Sequence, residues 1–338
     1  MTTPASYLTR CDSVEAYLST ISRGQVLQIG RSAGDRALHA VCYGSFEAIE
    51  RQANLSSALS AQQPEAFFGS GRDKQVLMIT SAVHGAEMES IAAVMHLISV
   101  LESGCDLDGI QWPALAASAA GLRIVIVPIG NPDGRARIDA DDPLDWSEQQ
   151  MEKYRHGLDA DGEPNGWMPG CFTPHPRPPG HDAFLGGYFN DAGVNPSHGV
   201  FLDRALAPET HMLADLAEAE TADCLLDLHS CSAGPFFISG YRYIPDEMTS
   251  RQSYFDGAWR SRMRQAGLPA PVWTTRTGRS VLGLEEFIYH RTGALPLLFE
   301  GGSGSRYTTD NTHRQIVETY MLLFETVCQI GATEGFKR

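Results

Sequence analysis

The chain has 338 residues, 43% hydrophobic and 20% charged, the composition of a globular protein with material for a large core. Its 26 Lys and Arg stand against 41 Asp and Glu, a formal charge of −15, which argues against nucleic acid or an anionic membrane surface as a partner. No stretch approaches the roughly 18 apolar residues of a membrane span, and Met1 to Arg10 lacks the apolar centre of a secretory signal. The seven cysteines are scattered, with no Cys-x-x-Cys pair, which suits free thiols in a reducing compartment. A cytoplasmic location is expected.

Residues 1–24 form a lead-in, with a short amphipathic helix expected over 13–22. Strands follow at Gln25 to Ile29 and Ala37 to Tyr43, around a Gly-rich turn. Residues 51–73 are small and polar and predict a surface excursion or loop. Gln75 to Ala82 is an apolar run of buried-strand type; it ends in His84-Gly85-Ala86-Glu87, and a helical pattern begins at once and runs to about Glu102.

Leu122 to Val127 is a second buried strand, closed by Asn131-Pro132-Asp133-Gly134, where Asn-Pro and Asp-Gly predict a sharp turn. From Asp139 to Asp191 the chain turns to Pro, Gly, Asp and His with little periodicity. A loop that long is expected to form walls or a lid over a site. Pro208 to Thr221 predicts a helix feeding a third buried strand, Cys224 to His229; helices are expected at 246–266, 283–292 and Asn311 to Ile330. A fourth strand, Leu295 to Phe299, precedes Glu300. Strands alternating with helices predict a largely parallel sheet covered on both faces, and no linker or repeat divides the chain, so 1–338 reads as one α/β domain.

Four strands thus end in polar groups: His84 with Glu87, Asn131 with Asp133, His229, and Glu300. In an open α/β sheet, ligands bind outside the carboxyl ends of the strands. A turn histidine and a helix-start carboxylate favoured by the helix dipole would explain the first pair alone. They do not explain the convergence of all four. Imidazole and carboxylate are common zinc ligands, and three protein ligands with a water make a catalytic site. Asp227, two residues before His229 on the same strand face, is either a partner for that ring or a solvent-facing carboxylate.

The set His84-x-x-Glu87, Asn131-Pro132-Asp133-Gly134, Leu226-Asp227-Leu228-His229 and Leu297-Leu298-Phe299-Glu300 resembles the zinc carboxypeptidase family, the carboxypeptidase A-like metallopeptidases with their deacylase relatives, in order and approximate spacing from about residue 25 to 330. The resemblance implies a single α/β/α sandwich domain with a mixed, mainly parallel central sheet, zinc held by His84, Glu87 and His229, and Glu300 as general base. The family's aspartate in its Gly-Val-Asp motif falls at Asn195, which retains an acceptor for the His84 ring. Where the family's carboxypeptidases carry an Asn-Arg pair for the substrate carboxylate, this chain has Ser197-His198, and an arginine often found between the first two ligands is Ala86. No tyrosine stands in Thr275 to Arg279, where the family's tyrosine loop maps.

His does not replace the bidentate grip of Arg on a carboxylate. Asn195, His198, Arg135, Arg137, Arg155, Arg276 and Arg279 remain candidates for substrate or oxyanion contacts. The expected activity is zinc-dependent hydrolysis of an amide, peptide or N-acyl, in a small substrate. A true metallocarboxypeptidase and a non-catalytic binding module of the same fold are the alternatives. A serine hydrolase is disfavoured, since no Gly-x-Ser-x-Gly elbow occurs.

Overall fold

The structure is a computed structural model that describes residues 2–69, 71–166, 176–201, 203–239, 241–269, 282–303 and 311–337. In chain order its elements are α1 (Cys11–Leu18), β1 (Gln25–Arg31), β2 (Ala37–Tyr43), α2 (Leu55–Ser60), α3 (Glu65–Phe68), β3 (Val76–Ser81), α4 (Met88–Ser103), α5 (Pro113–Ala119), β4 (Arg123–Val127) and α6 (Pro132–Ala136). There follow α7 (Glu148–His156), β5 (Gly157–Asp159), β6 (Asp182–Leu185), α8 (Pro208–Ala219), β7 (Cys224–Cys231), β8 (Phe236–Ile238), α9 (Asp246–Gln265), α10 (Leu284–Thr292), β9 (Leu295–Gly302) and α11 (His313–Thr333).

Seven strands pair in the order β1-β2-β4-β3-β7-β9-β8. The central strands β4, β3, β7 and β9 are mutually parallel. β2 runs antiparallel to β4 and β1 antiparallel to β2, so β1 regains the central direction, while β8 opposes β9. The sheet is therefore mixed and mainly parallel, as expected. Every residue of β3 and β4 is buried, the mark of strands covered on both faces. Leu77, Ile79, Ile124, Ile126, Leu226 and Leu228 pack on one side with residues of α4, α5, α9 and α11. The alternate residues Val76, Met78, Val125, Val127 and Leu225 pack on the other with residues of α8 and α10. Alternation along each strand thus builds an α/β/α sandwich.

Several local expectations are corrected. Residues 51–73 are no plain loop: they carry α2 and α3, which bury Ala58, Ala66 and Phe67, with Lys337 Nζ donating to the Phe67 carbonyl at 2.7 Å. Elements of four and six residues are too short to show a period. The stretch 139–191 contains α7, started by a Ser147–Gln150 capping box, and a β5–β6 hairpin. Asn131-Pro132-Asp133-Gly134 opens the short helix α6 rather than a turn: Asn131 Oδ1 accepts the Gly134 N–H at 2.9 Å and Pro132 begins the helix. β7 and β9 run past their apolar segments, so His229 and Glu300 lie inside paired strands, opposite each other in register.

Asp133 shows how that motif shapes the sheet edge. Its carboxylate is fully buried and accepts from Ser32 Oγ at 2.5 Å, Gly34 N at 2.8 Å, Arg36 Nη1 at 2.8 Å and Asp191 N at 3.0 Å. It pins the β1–β2 turn and the start of the segment after β6 to the end of β4. Asp133→Ala should cost roughly 3 kcal/mol, because four donors lose a buried acceptor together. Thermal unfolding measures it; an unchanged midpoint would show that the turn is held by other contacts.

Candidate metal centre

The chain leaves β3 through Ala82, in the left-handed region at φ 48°, and turns through His84, Gly85 and Ala86 into α4. Glu87 occupies the N-cap position, yet its side chain makes no capping bond. The carboxylate is instead turned towards the ends of β7 and β9. Gly85 is required here, since a Cβ on it would lie 2.2 Å from the main-chain N of Arg135.

The sequence-predicted residues His84, Glu87 and His229 converge. His84 Nδ1 lies 3.1 Å from Glu87 Oε1, and His229 Nδ1 lies 3.2 Å from His84 Nδ1 and 3.0 Å from Glu87 Oε2. Behind the rings, His84 Nε2 meets Asn195 Oδ1 at 3.2 Å and His229 Nε2 meets Asp227 Oδ2 at 3.0 Å. Asn195 Oδ1 also accepts the Ser197 N–H at 3.0 Å, which fixes the orientation of its amide. Both backing atoms are acceptors, so each ring carries a proton on Nε2 and directs Nδ1 inward, where its lone pair is available to a metal. Two Nδ1 atoms and a carboxylate, all buried, face one another. That donor set fits a divalent cation of the zinc type.

The titration behaviour follows from the same crowding. Burial lowers the His84 pKa, against the pull of Glu87. His229 is pushed well above the ordinary value: burial opposes this, but Asp227 and Glu87 outweigh it. Glu87 is held well below the carboxylate range, its burial overcome by the two histidines.

Glu300 stands beside His229 in the β7–β9 register, half-buried between the buried Phe299 and Gly301. The His198 ring centroid is 5.7 Å from that of His84. Asn195, read both as an acceptor for the His84 ring and as a candidate substrate contact, stands buried behind His84. Arg135 and Arg137 are corrections. Buried Arg135 donates to the carbonyls of Thr9, Ile138 and Ala140, and Arg137 to those of Leu185, Gly186 and Phe189 and to Asp191. Both hold loops and neither is directed at the centre. Arg276 and Arg279 lie outside the described residues.

Arg155, on α7, differs. It is buried, and its Nε and Nη2 have no hydrogen-bond partner among the described residues. Burial disfavours its charge, but Tyr188, Glu87, Glu89 and Cys231 together raise its pKa above the ordinary value.

Tyr188 escaped the sequence reading because it lies in the irregular stretch, with no period to mark it. Its hydroxyl donates to Glu87 Oε1 at 2.7 Å and its ring stacks on His84, centroids 3.8 Å apart and planes 4° from parallel. Burial, with Glu87 beside it, raises the phenol pKa well above the ordinary value and keeps it a donor. A second acidic cluster, His96 with Asp106 and Asp108, already has its cation: Arg314 Nη1 lies 2.9 Å from Asp106 and 3.3 Å from Asp108.

Residues 12–294 match the family model described as zinc carboxypeptidase. No curated protein matches the chain. Among solved structures, a metallo-carboxypeptidase from Burkholderia cenocepacia superposes with a TM-score of 0.57 at 16% identity, covering 95% of this chain and 69% of that one. Carboxypeptidase A from Helicoverpa armigera gives 0.54 at 13% identity over 96% and 73% of the two chains. Bovine thrombin-activatable fibrinolysis inhibitor, in complex with tick carboxypeptidase inhibitor, gives 0.58 at 12% identity over 97% of each. At these identities the likeness is one of fold.

The segment carrying Tyr188 is seated by Gly187, whose carbonyl accepts the Gly85 N–H at 2.8 Å while its own N–H donates to the Tyr154 carbonyl at 2.7 Å. A Cβ at Gly187 would come within 2.9 Å of the Ala86 main-chain N. Gly187→Ala should force the two segments apart at about 1–3 kcal/mol, read as a lower unfolding midpoint. An unaffected midpoint would mean that the segment yields without cost.

Proposed function

The chain belongs to the zinc carboxypeptidase family, and from that premise we propose that it is a zinc-dependent hydrolase of an amide bond, peptide or N-acyl, in a small substrate. The single observation that carries this reading is the approach of two imidazole Nδ1 atoms and a buried carboxylate to within 3.0–3.2 Å, each ring backed by an acceptor. His84, Glu87 and His229 are the residues that would hold the metal. Bound there, zinc would supply a polarised carbonyl and a water acidified towards neutrality.

The remaining chemistry belongs to side chains of this protein. Glu300, opposite His229 on the neighbouring strand, takes a proton from the attacking water and passes it to the leaving nitrogen. A binding module has no use for that base, which disfavours the non-catalytic alternative. Arg155 offers two buried donors to the negative charge that grows on the carbonyl oxygen. His198 lines the cleft beside His84. The six described cysteines are free and no described helix is long and apolar enough to cross a membrane; with them we retain a cytoplasmic location as part of the proposal.

The substrate side departs from the family's carboxypeptidases. Ser197-His198 replaces Asn-Arg and Ala86 removes a second cation. Arg135 and Arg137, spent on main-chain carbonyls, do not compensate. A buried carboxylate without a charged partner costs several kcal/mol. A small acylated or peptide-like amide is therefore favoured over a free C-terminal residue. Two of the structural neighbours reported above are carboxypeptidases by name, so genuine C-terminal exopeptidase activity is the competing reading.

Glu300→Gln tests the base. It should keep zinc and the unfolding midpoint while turnover falls about a hundredfold or more. Retained turnover would pass the role to another group, Glu89 being the next candidate, and lost zinc would make Glu300 a ligand.

The substrate reading is tested by kcat/KM on a blocked peptide or N-acyl amide and on its free-acid counterpart with the same leaving group. Near-equal values, or preference for the amide, are expected. A preference for the acid of about a hundredfold, roughly 2.7 kcal/mol, would establish the carboxypeptidase instead.

A further inference from the structure

We propose that Tyr188 is a positioning residue that presets Glu87 and His84 for the metal, a role resting on the reading of those two residues as ligands. Three contacts carry it. The phenol donates to Glu87 Oε1 at 2.7 Å, while Glu87 Oε2 accepts the Ser230 N–H at 3.1 Å. One donor on each oxygen, from separate segments of the chain, fixes the plane of the carboxylate. The Tyr188 ring lies flat on His84 at 3.8 Å, which fixes the plane of the imidazole, as the Asn195 hydrogen bond fixes its rotation about that plane.

Tyr188 is itself anchored. Its N–H donates to the Arg155 carbonyl at 3.1 Å, and the His156 ring meets it edge-on at 5.1 Å and 86°. It is buried, so the tyrosine cannot swing away without breaking the seat formed by Gly187 and α7. The choice of residue has a chemical reason. A lysine or arginine at this place would neutralise Glu87 and compete with a cation for it. A phenol orients the carboxylate and leaves its charge in place. Phenylalanine would keep the stack but leave a buried carboxylate oxygen short of a donor.

The test compares the parent, Tyr188→Phe, Tyr188→Leu and Glu87→Gln. Three quantities are read: the zinc dissociation constant by chelator competition, the visible spectrum of the cobalt-substituted protein, and the unfolding midpoint of the metal-free form. Glu87→Gln should lose most of its zinc affinity. Tyr188→Phe should lower the metal-free midpoint only modestly, bind zinc about ten- to a hundredfold more weakly and shift the cobalt bands. Tyr188→Leu should bind more weakly still, having lost the stack.

Parental affinity and spectrum in Tyr188→Phe, with zinc lost from Glu87→Gln, would overturn the role of Tyr188 and leave the ligand reading standing. Parental zinc binding in Glu87→Gln would remove the ligand reading and this inference with it. A lower metal-free midpoint with unshifted cobalt bands would make Tyr188 structural only, which also overturns the proposal.

Discussion

The constraint on which the molecule turns is electrostatic: two imidazole Nδ1 atoms and a carboxylate are buried within 3.2 Å of one another. Taking such groups out of water costs several kcal/mol, offset in part by the pairing of His229 with Glu87 and Asp227. The fold nevertheless spends hydrogen bonds on maintaining it. Asn195 and Asp227 stand behind the rings, and Tyr188 and Ser230 hold the carboxylate. Thr80 Oγ1 in turn donates to Asp227 at 2.5 Å, and Tyr320, from α11, donates to the main-chain carbonyl of His229 at 2.7 Å. Each of these contacts fixes a side chain of the centre or one that backs it. The arrangement is that of a metal site built in advance.

The sheet makes it possible. Parallel strands bring their carboxyl ends to one edge of the sandwich, so the turn after β3 and the last residues of β7 and β9 meet without long connections. Register does the fine placement, setting Glu300 directly beside His229. The third wall comes from the α7–β6 region, which reaches the centre only because Gly187 lets two backbones touch. It delivers Tyr188 to a site otherwise assembled from the sheet.

What could be read in the sequence divides along physical lines. β3, β4, β7, α4, α9 and α11 were legible because long apolar runs and helical periods leave a record of which face is buried. The pair His84 and Glu87, and the later His229 and Glu300, were legible because chemistry confines such residues to strand ends. α2, α3 and β8 were not, being too short to carry a period. The arginines were misread for a different reason. A guanidinium serves a main-chain carbonyl as well as a substrate anion, and nothing local distinguishes Arg135, tied to Thr9, from Arg155, with two donors unused. Tyr188 was invisible because its partners lie 101 and 104 residues before it.

The most direct measurement is anomalous diffraction at the zinc absorption edge on crystals of the protein as purified. The account predicts one strong peak at about 2.0–2.2 Å from Nδ1 of His84, Nδ1 of His229 and an oxygen of Glu87. A peak among His96, Asp106 and Asp108, or bonding through Nε2 of either ring, would contradict it.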